Sequence, residues 1–96
     1  MTPERKLEAY LVEQCKKLGF MCRKVQWLGR NGAPDRVVFM PEGKVLWIEL
    51  KSPKGEVSEI QKLEFGRMEK LGHDVWIAYT KEQIDNLLAG EPEPEV

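Results

Sequence analysis

Apolar residues near the start of the chain recur at intervals of three and four, which is the spacing of one helix face. The pattern runs from Leu7 to Leu18. Thr2 and Pro3 suit the N-cap and the first helical position, and Gly19 suits the residue after a helix. The sequence therefore predicts a helix that begins after Thr2 and stops at Gly19.

Three runs rich in β-branched and aromatic residues follow, and such runs are typical of strands. They cover Phe20–Trp27, Asp35–Met40 and Lys44–Leu50. Residues 41–43, Pro-Glu-Gly, predict a hairpin turn between the second and third runs. The third run is apolar on both faces, so we expect that strand in the middle of the sheet.

The second half of the chain predicts a helix, a strand and a short last helix. Ser58 and Gln61 have the spacing of a capping box, and Gly72 ends the helical pattern that follows them. A strand is predicted at 74–79 and a helix at 80–90. The predicted order is helix, three strands, helix, strand, helix. Because the last strand follows a helical crossover, this order predicts an α/β domain with a mixed central β-sheet flanked by helices.

Length and composition fit one soluble globular domain. The chain has 96 residues, of which 42% are hydrophobic and 32% charged. We expect a folded domain at residues 1–90 and a disordered acidic tail at residues 91–96, where glutamate and proline alternate. Its apolar runs are short and no signal-peptide pattern opens the chain, so we expect an intracellular, cytoplasmic protein.

Positive charge is concentrated in one part of a chain whose formal net charge is -1. Three of the 16 acids lie in the tail, which leaves 13 acids against 15 bases elsewhere. Between Lys16 and Arg36 six bases accompany a single acid, Asp35. A stretch of this kind can lie along a phosphate backbone, although composition alone favours an ordinary solvated strand and loop.

Three polar residues are predicted to converge at one end of the sheet. Glu49 and Lys51 share a face because alternate residues of a strand point the same way. The short hairpin turn places Asp35, at the start of one strand, beside the end of the other. Two carboxylates in one place repel each other unless a cation lies between them. Oxygen ligands with room for water and phosphate suit magnesium.

Two further residues are candidates, each with an ordinary alternative. Glu8 lies about 100° around the first helix from Leu7, inside the apolar arc, where a carboxylate needs a partner such as a metal ion or metal-bound water. The alternative is that it pairs with Lys16 or Arg5 on the helix surface. Glu4 lies on the same side, but the helix dipole alone explains an acid in the first turn. Gln61 is explained by its capping box with Ser58, and a role in the site does not exclude that role.

The short motif and its frame resemble a nuclease family. Pro34-Asp35 followed by Glu49-Leu50-Lys51 resembles the PD-(D/E)xK nuclease signature. The wider frame also includes an acidic first helix, residues 32–36, the capping pair at 58 and 61, and Leu71-Gly72. This frame resembles the VRR-NUC (virus-type replication-repair nuclease) family over roughly residues 4–88, and it is more specific than the short motif.

The resemblance implies a role for each site residue. Asp35 and Glu49 would be metal ligands, with the backbone carbonyl of Leu50 as another. Lys51 would contact the scissile phosphate or the attacking water. Glu8 would complete the metal site and Gln61 would support it. The implied cofactor is Mg²⁺, with Mn²⁺ able to replace it. The candidate DNA-binding residues, which could hold backbone phosphates, are Arg23, Lys24, Arg30, Arg36 and Lys54.

The resemblance also implies an activity. Stand-alone domains of this size in the family resemble Holliday-junction resolvases, so we expect a metal-dependent endodeoxyribonuclease that cuts branched DNA as a homodimer. Two alternatives are a monomeric nicking or flap-type nuclease and a DNA-binding module without catalytic activity. The family also suggests a phage origin, with a bacterial host.

Overall fold

A computed structural model describes residues 1–90 of the chain, and the predicted acidic tail at 91–96 lies outside the described residues. The first helix, α1, spans Pro3–Leu18, as its start and stop signals predict. The Thr2 hydroxyl accepts a hydrogen bond of 3.2 Å from the backbone N–H of Arg5. Gly19 ends the helix in the left-handed conformation, at φ 75°, which costs glycine little.

Four strands form one mixed sheet. They are β1 (Met21–Lys24), β2 (Arg36–Phe39), β3 (Val45–Leu50) and β4 (Val75–Ala78), and they lie in the order β1-β2-β3-β4. The pairs β1–β2 and β2–β3 are antiparallel, and β3–β4 is parallel. The predicted mixed sheet is therefore confirmed, and β3 is an inner strand.

Helices cover both faces of this sheet. Helix α2 spans Glu59–Lys70 and helix α3 spans Lys81–Leu88. The main core joins α1 and α3 to the sheet face that carries Ile48 and Leu50. Because neighbouring residues of a strand point to opposite faces, Glu49 points to the face where α2 lies. Within residues 1–90 no helix combines the length and hydropathy that crossing a membrane requires.

The strands are shorter than the sequence predicts. A first strand as far as Trp27 is wrong, because β1 ends at Lys24. The backbone N–H of Val25 still donates to the Asp35 carbonyl at 3.0 Å. The residue before Asp35 is Pro34, and because alternate residues bond to opposite neighbours its missing N–H lies on the edge that faces β3. The β2–β3 ladder has no donor at that position. Pairing stops there, and β2 begins at Arg36 rather than at Asp35.

Candidate active site

The site forms where β2 begins and β3 ends. The register pairs Arg36 with Ile48, so the next residues outward, Asp35 and Glu49, lie side by side. The backbone N–H of Leu50 donates to Oδ2 of Asp35 at 2.9 Å, which fixes that carboxylate against the end of β3. The hairpin thus brings together the two acids that the sequence predicted to meet.

Glu49 is the most buried charged residue of the site, with 2% of its surface exposed. Its Oε2 accepts a hydrogen bond of 2.8 Å from Nε2 of Gln61 and lies 3.3 Å from Nζ of Lys51. Its other oxygen, Oε1, is buried and has no hydrogen-bond partner in the described part of the chain. A buried carboxylate oxygen without a partner is costly, so this atom needs a ligand that the protein does not supply.

Both carboxyls resist ionisation. Burial raises the pKa of Asp35, the Leu50 N–H opposes that rise, and the nearby negative charge of Glu8 adds to it. Burial also raises the pKa of Glu49, as does the charge of Asp35, while Gln61 and Lys51 act in the opposite direction. Two adjacent acids with raised pKa values, one of which raises the pKa of the other, favour a positive charge between them.

Gln61 has two roles at once. Its backbone N–H donates to the Ser58 hydroxyl at 3.1 Å and its Oε1 accepts from the Ser58 backbone N–H at 3.3 Å, which completes the predicted capping box. The Nε2 of the same side chain reaches Glu49. The amide can make both contacts because it has an acceptor end and a donor end. The capping box is confirmed, and a role of Gln61 in the site stays a prediction that the contact with Glu49 supports.

Glu8 points toward the site but holds a partner of its own. Its Oε2 accepts a hydrogen bond of 2.9 Å from Nε of Arg36, a residue predicted to bind DNA. Glu8 and Asp35 line a common cleft of about 170 Å³ between α1 and the strand ends. The residues that line this cleft are Thr2, Glu4, Arg5, Glu8, Lys24, Asp35 and Leu50.

Sequence reasoning missed two residues of this cleft. Glu4 lies on the same side of α1 as Glu8, but the dipole explanation for an acid in the first turn removed it from consideration. The negative charge of Glu4 acts on the site, because it adds to the raised pKa of Asp35. Arg5 was expected only as a possible surface partner of Glu8, and the structure pairs Glu8 with Arg36 instead. The signal for Arg5 was a base in the first turn of a helix, where a positive charge is unfavourable.

The five predicted DNA-binding residues fall into two groups. Arg36 is paired with Glu8, and Arg30 lies 3.4 Å from the buried Glu64. Both arginines therefore already have an acidic partner within the fold. The other three are exposed and form no ion pair within the described part of the chain: Arg23, Lys24 and Lys54.

The donor set suits magnesium better than a metal that needs a closed cage. Among residues 1–90 no three histidine, cysteine or acidic side chains are grouped to hold a metal ion. Magnesium is commonly held by one or two carboxylates, with water and substrate phosphate completing its shell. Asp35 and Glu49, with the unpartnered Oε1 of Glu49, fit that pattern.

Two larger hollows lie away from this chemistry. One, of about 540 Å³, lies between α2 and β4, and the other, of about 580 Å³, follows the loop at 25–33. Neither is lined by Asp35, Glu49 or Lys51. The smaller cleft is the functional candidate because it alone of the three includes one of the paired acids.

Fold and site together define a class: an α/β domain with two acids and a lysine at the end of a hairpin is a nuclease fold of the PD-(D/E)xK type. A sequence profile of the VRR-NUC domain matches residues 2–82. A protein of Acyrthosiphon pisum secondary endosymbiont phage 1, described as "Putative nuclease p44", is 34% identical over 85 residues, which are 88% of this chain and 90% of that protein.

A solved structure described as a VRR-NUC domain superposes with a TM-score of 0.85 at 31% sequence identity. The superposition covers 93% of this chain and 97% of that one. The chain belongs to the VRR-NUC family of nuclease domains.

Proposed function

We propose that this protein is a magnesium-dependent DNA endonuclease that cuts Holliday junctions as a homodimer, with Mn²⁺ able to replace Mg²⁺. The observation that carries the proposal is the pair of adjacent carboxylates, Asp35 and Glu49, whose pKa values are both raised, with Nζ of Lys51 3.3 Å from Oε2 of Glu49. Asp35, Glu49 and the Leu50 carbonyl would hold the ion, and Glu8 would complete the site.

Each residue of the site has a chemical task in phosphodiester hydrolysis. A bound divalent ion supplies an acidified water and neutralises charge on the phosphoryl oxygens. Lys51 places a positive charge beside the scissile phosphate and stabilises the charge that develops there. The Leu50 N–H and the Gln61 amide fix Asp35 and Glu49, so neither carboxylate has to reorganise when the substrate binds.

Two features support a preference for junctions and a dimer: exposed bases that can contact DNA backbone, and an exposed apolar row on the sheet. Exposed bases that contact phosphates position DNA without reading its sequence, which suits an enzyme that recognises a branch. A four-way junction is roughly two-fold, so two symmetry-related sites would match it. Met21, Phe39 and Val45 form one row across three strands and are 41–48% exposed, which gives a second copy an apolar surface. A phage gene product acting in the cytoplasm of a bacterial host fits this function.

The test is cleavage of a labelled panel that holds a four-way junction, a flap, a nicked duplex and a plain duplex. Each is incubated with magnesium, with manganese and with chelator. Lys51→Ala is compared with Lys44→Ala, which removes the same charge from the other end of β3, where Lys44 is exposed. We expect paired cuts in the junction with either metal, lost in Lys51→Ala and kept in Lys44→Ala.

Each other outcome has a defined meaning. Cutting of flaps or nicked duplex alone would retain the nuclease and reject the resolvase. Junction binding without cleavage of any substrate would leave a DNA-binding module without catalytic activity. Cleavage that persists in chelator would reject the metal dependence. Sedimentation of the free protein as a monomer, with junction cleavage intact, would reject a preformed dimer.

A further inference from the structure

Two cations of the cleft stand where local electrostatics disfavours them. Arg5 is the third residue of α1, at the positive end of the helix dipole, where a base is destabilising. Lys24 lies directly opposite Arg36 in the β1–β2 ladder, and like charges in that position repel each other. Arg36 is compensated by Glu8, and Lys24 has no such partner among residues 1–90.

Neither cation serves the fold through an ion pair. Three acids line the same cleft, yet in the part of the chain that the structure describes no acid lies within 4.0 Å of the Arg5 or Lys24 charge. Both side chains are exposed, so little apolar area is buried by their stems. Charged residues that occupy unfavourable positions and form no stabilising contact in the fold are characteristic of functional sites.

Their position relative to Asp35 defines what they can bind. Both line the cleft that Asp35 lines, whereas Lys51 and Gln61 contact Glu49, the acid beside Asp35 that is outside that lining. An anion that reaches the two acids through a cation therefore has Lys51 on one side and the Arg5–Lys24 pair on the other. A nucleic-acid strand presents such anions in series, one phosphate after the next.

We propose that Arg5 and Lys24 form a phosphate clamp that holds the phosphodiester next to the scissile one on the strand that is cut. This proposal rests on the proposed function, because it takes the scissile phosphate to lie at Asp35 and Glu49. Arg5 binds two oxygens of the phosphate through its planar guanidinium, and Lys24 adds a point charge. Both are positioning residues, since they touch the substrate away from the bond that breaks.

The first experiment measures binding of a fluorescent four-way junction by anisotropy, in chelator, over a series of salt concentrations. Arg5→Ala and Lys24→Ala are compared with Lys17→Ala, an exposed lysine in the last turn of α1. Each clamp variant should reduce the slope of log affinity against log salt by about 1, as expected for one lost phosphate contact. The Lys17 variant should keep the wild-type slope, and Arg5→Lys should restore most of the loss.

A second measurement places the contact on the strand. A neutral methylphosphonate is substituted, one position at a time, around the cut site that the wild type defines. At the position next to the cut it should weaken wild-type binding and have no further effect on the Arg5→Ala, Lys24→Ala double variant. In single-turnover cleavage the Arg5→Ala, Lys24→Ala double variant should need more DNA than the wild type for half-maximal rate. Its maximal rate should differ from that of the wild type by less than about twofold.

Thermal melting separates a clamp from a structural role. Arg5→Ala removes a charge that opposes the helix dipole, so its Tm should equal or exceed that of the wild type, whereas Lys17→Ala should melt slightly lower. If Arg5→Ala and Lys24→Ala have the same slope of log affinity against log salt as Lys17→Ala, the clamp is overturned, even if the wild type cuts junctions. A lowered Tm in Arg5→Ala, with no rescue of binding by Arg5→Lys, would overturn it as well. Reduced slopes without any wild-type cleavage would retain the phosphate contacts and reject the nuclease instead.

Discussion

Gln61 donates a hydrogen bond of 2.8 Å to Oε2 of Glu49, and its own Oε1 caps the helix on which it stands. One side chain therefore ties the start of α2 to the end of β3. The orientation of Glu49 depends on where α2 begins, because a shift of the helix start by one residue would carry the amide away. Helix capping and site geometry are coupled at this residue.

Gln61→Ala should lower the cleavage rate by roughly 10- to 100-fold, the range for lost groups that orient a metal ligand. It removes the donor that fixes Glu49 and leaves a second oxygen of that buried carboxylate short of a partner. The matched control is Ser58→Ala, which also weakens the cap but leaves the Gln61 amide in place. Single-turnover cleavage and thermal melting are measured on both.

Ser58→Ala should lower stability by about 1 kcal/mol, the usual value of an N-cap, with little effect on the cleavage rate. If the two variants lose activity equally, the capping box alone explains Gln61. The difference between them therefore measures the contact with Glu49.

Removing one of the paired charges should stabilise the protein at neutral pH. Burial raises the pKa of both Asp35 and Glu49, and a neighbouring negative charge adds to each rise, Glu8 for Asp35 and Asp35 for Glu49. Each charge is therefore less favourable in the folded chain than in the unfolded chain. Asp35→Asn should therefore have a higher Tm than the wild type at pH 7 in chelator, and no cleavage activity. Asparagine retains an oxygen that can accept from the Leu50 N–H.

The pH dependence supplies the sign of this effect. For a raised pKa, the folded state takes up protons before the unfolded state as the pH falls, so the stability of the wild type rises. The advantage of Asp35→Asn should thus shrink between neutral pH and the ordinary carboxyl range. Cleavage should decline over the same interval, because it needs both carboxylates ionised. An advantage that grows on acidification would show that these charges are not strained.

The sequence supports the fold and the main site for a simple physical reason. Alternation along β3 and the short hairpin determine which ends meet, so Asp35, Glu49 and Lys51 could be placed from periodicity alone. Competition between partners could not be predicted that way. Arg36 is one of several bases in the sequence, and only the packing of α1 on the sheet shows that it holds Glu8. Pro34 is visible in the sequence as a residue without a backbone donor, and the β2–β3 ladder ends beside it.

Gly32 should tolerate no side chain, because it combines two constraints. Its φ of 99° is one that other residues rarely adopt, and a Cβ there would lie 3.0 Å from Cβ of Glu64 and 3.1 Å from the carbonyl oxygen of Ile60. Gly32 packs the loop before Asp35 against α2, so an added side chain there would shift both Asp35 and the helix that carries Gln61. Gly29→Ala is the control, since its φ is 78° and nothing lies within 4 Å of its added Cβ.

Urea unfolding should show a loss of about 1 kcal/mol for Gly29→Ala, from backbone strain alone. Gly32→Ala should lose roughly 1–3 kcal/mol more, the range for overpacking a filled site. The cleavage rate should fall only in Gly32→Ala. Equal losses in the two variants would show that the loop moves aside without cost.

Glu8 is placed to serve both Arg36 and the metal site. Glu8 lines the cleft and raises the pKa of Asp35. It also accepts a hydrogen bond of 2.9 Å from Arg36, whose side chain is only 18% exposed. Glu8→Gln should raise the magnesium concentration needed for half-maximal cleavage by about tenfold, if Glu8 completes the metal site. DNA binding in chelator should be unchanged. Glu13→Gln, an exposed acid on the same helix, is the control.

A stability measurement then separates the two partners of Glu8. Its ion pair with Arg36 should contribute about 1–2 kcal/mol, less than a fully buried charged hydrogen bond, because both side chains are partly exposed. A double-mutant cycle of Glu8→Gln with Arg36→Gln measures that coupling in chelator. A magnesium titration that does not move, together with a clear coupling energy, would make Glu8 a partner of Arg36 alone. Since Arg36 begins β2 directly after Asp35, Glu8 would then act on the site only by holding that strand end in place.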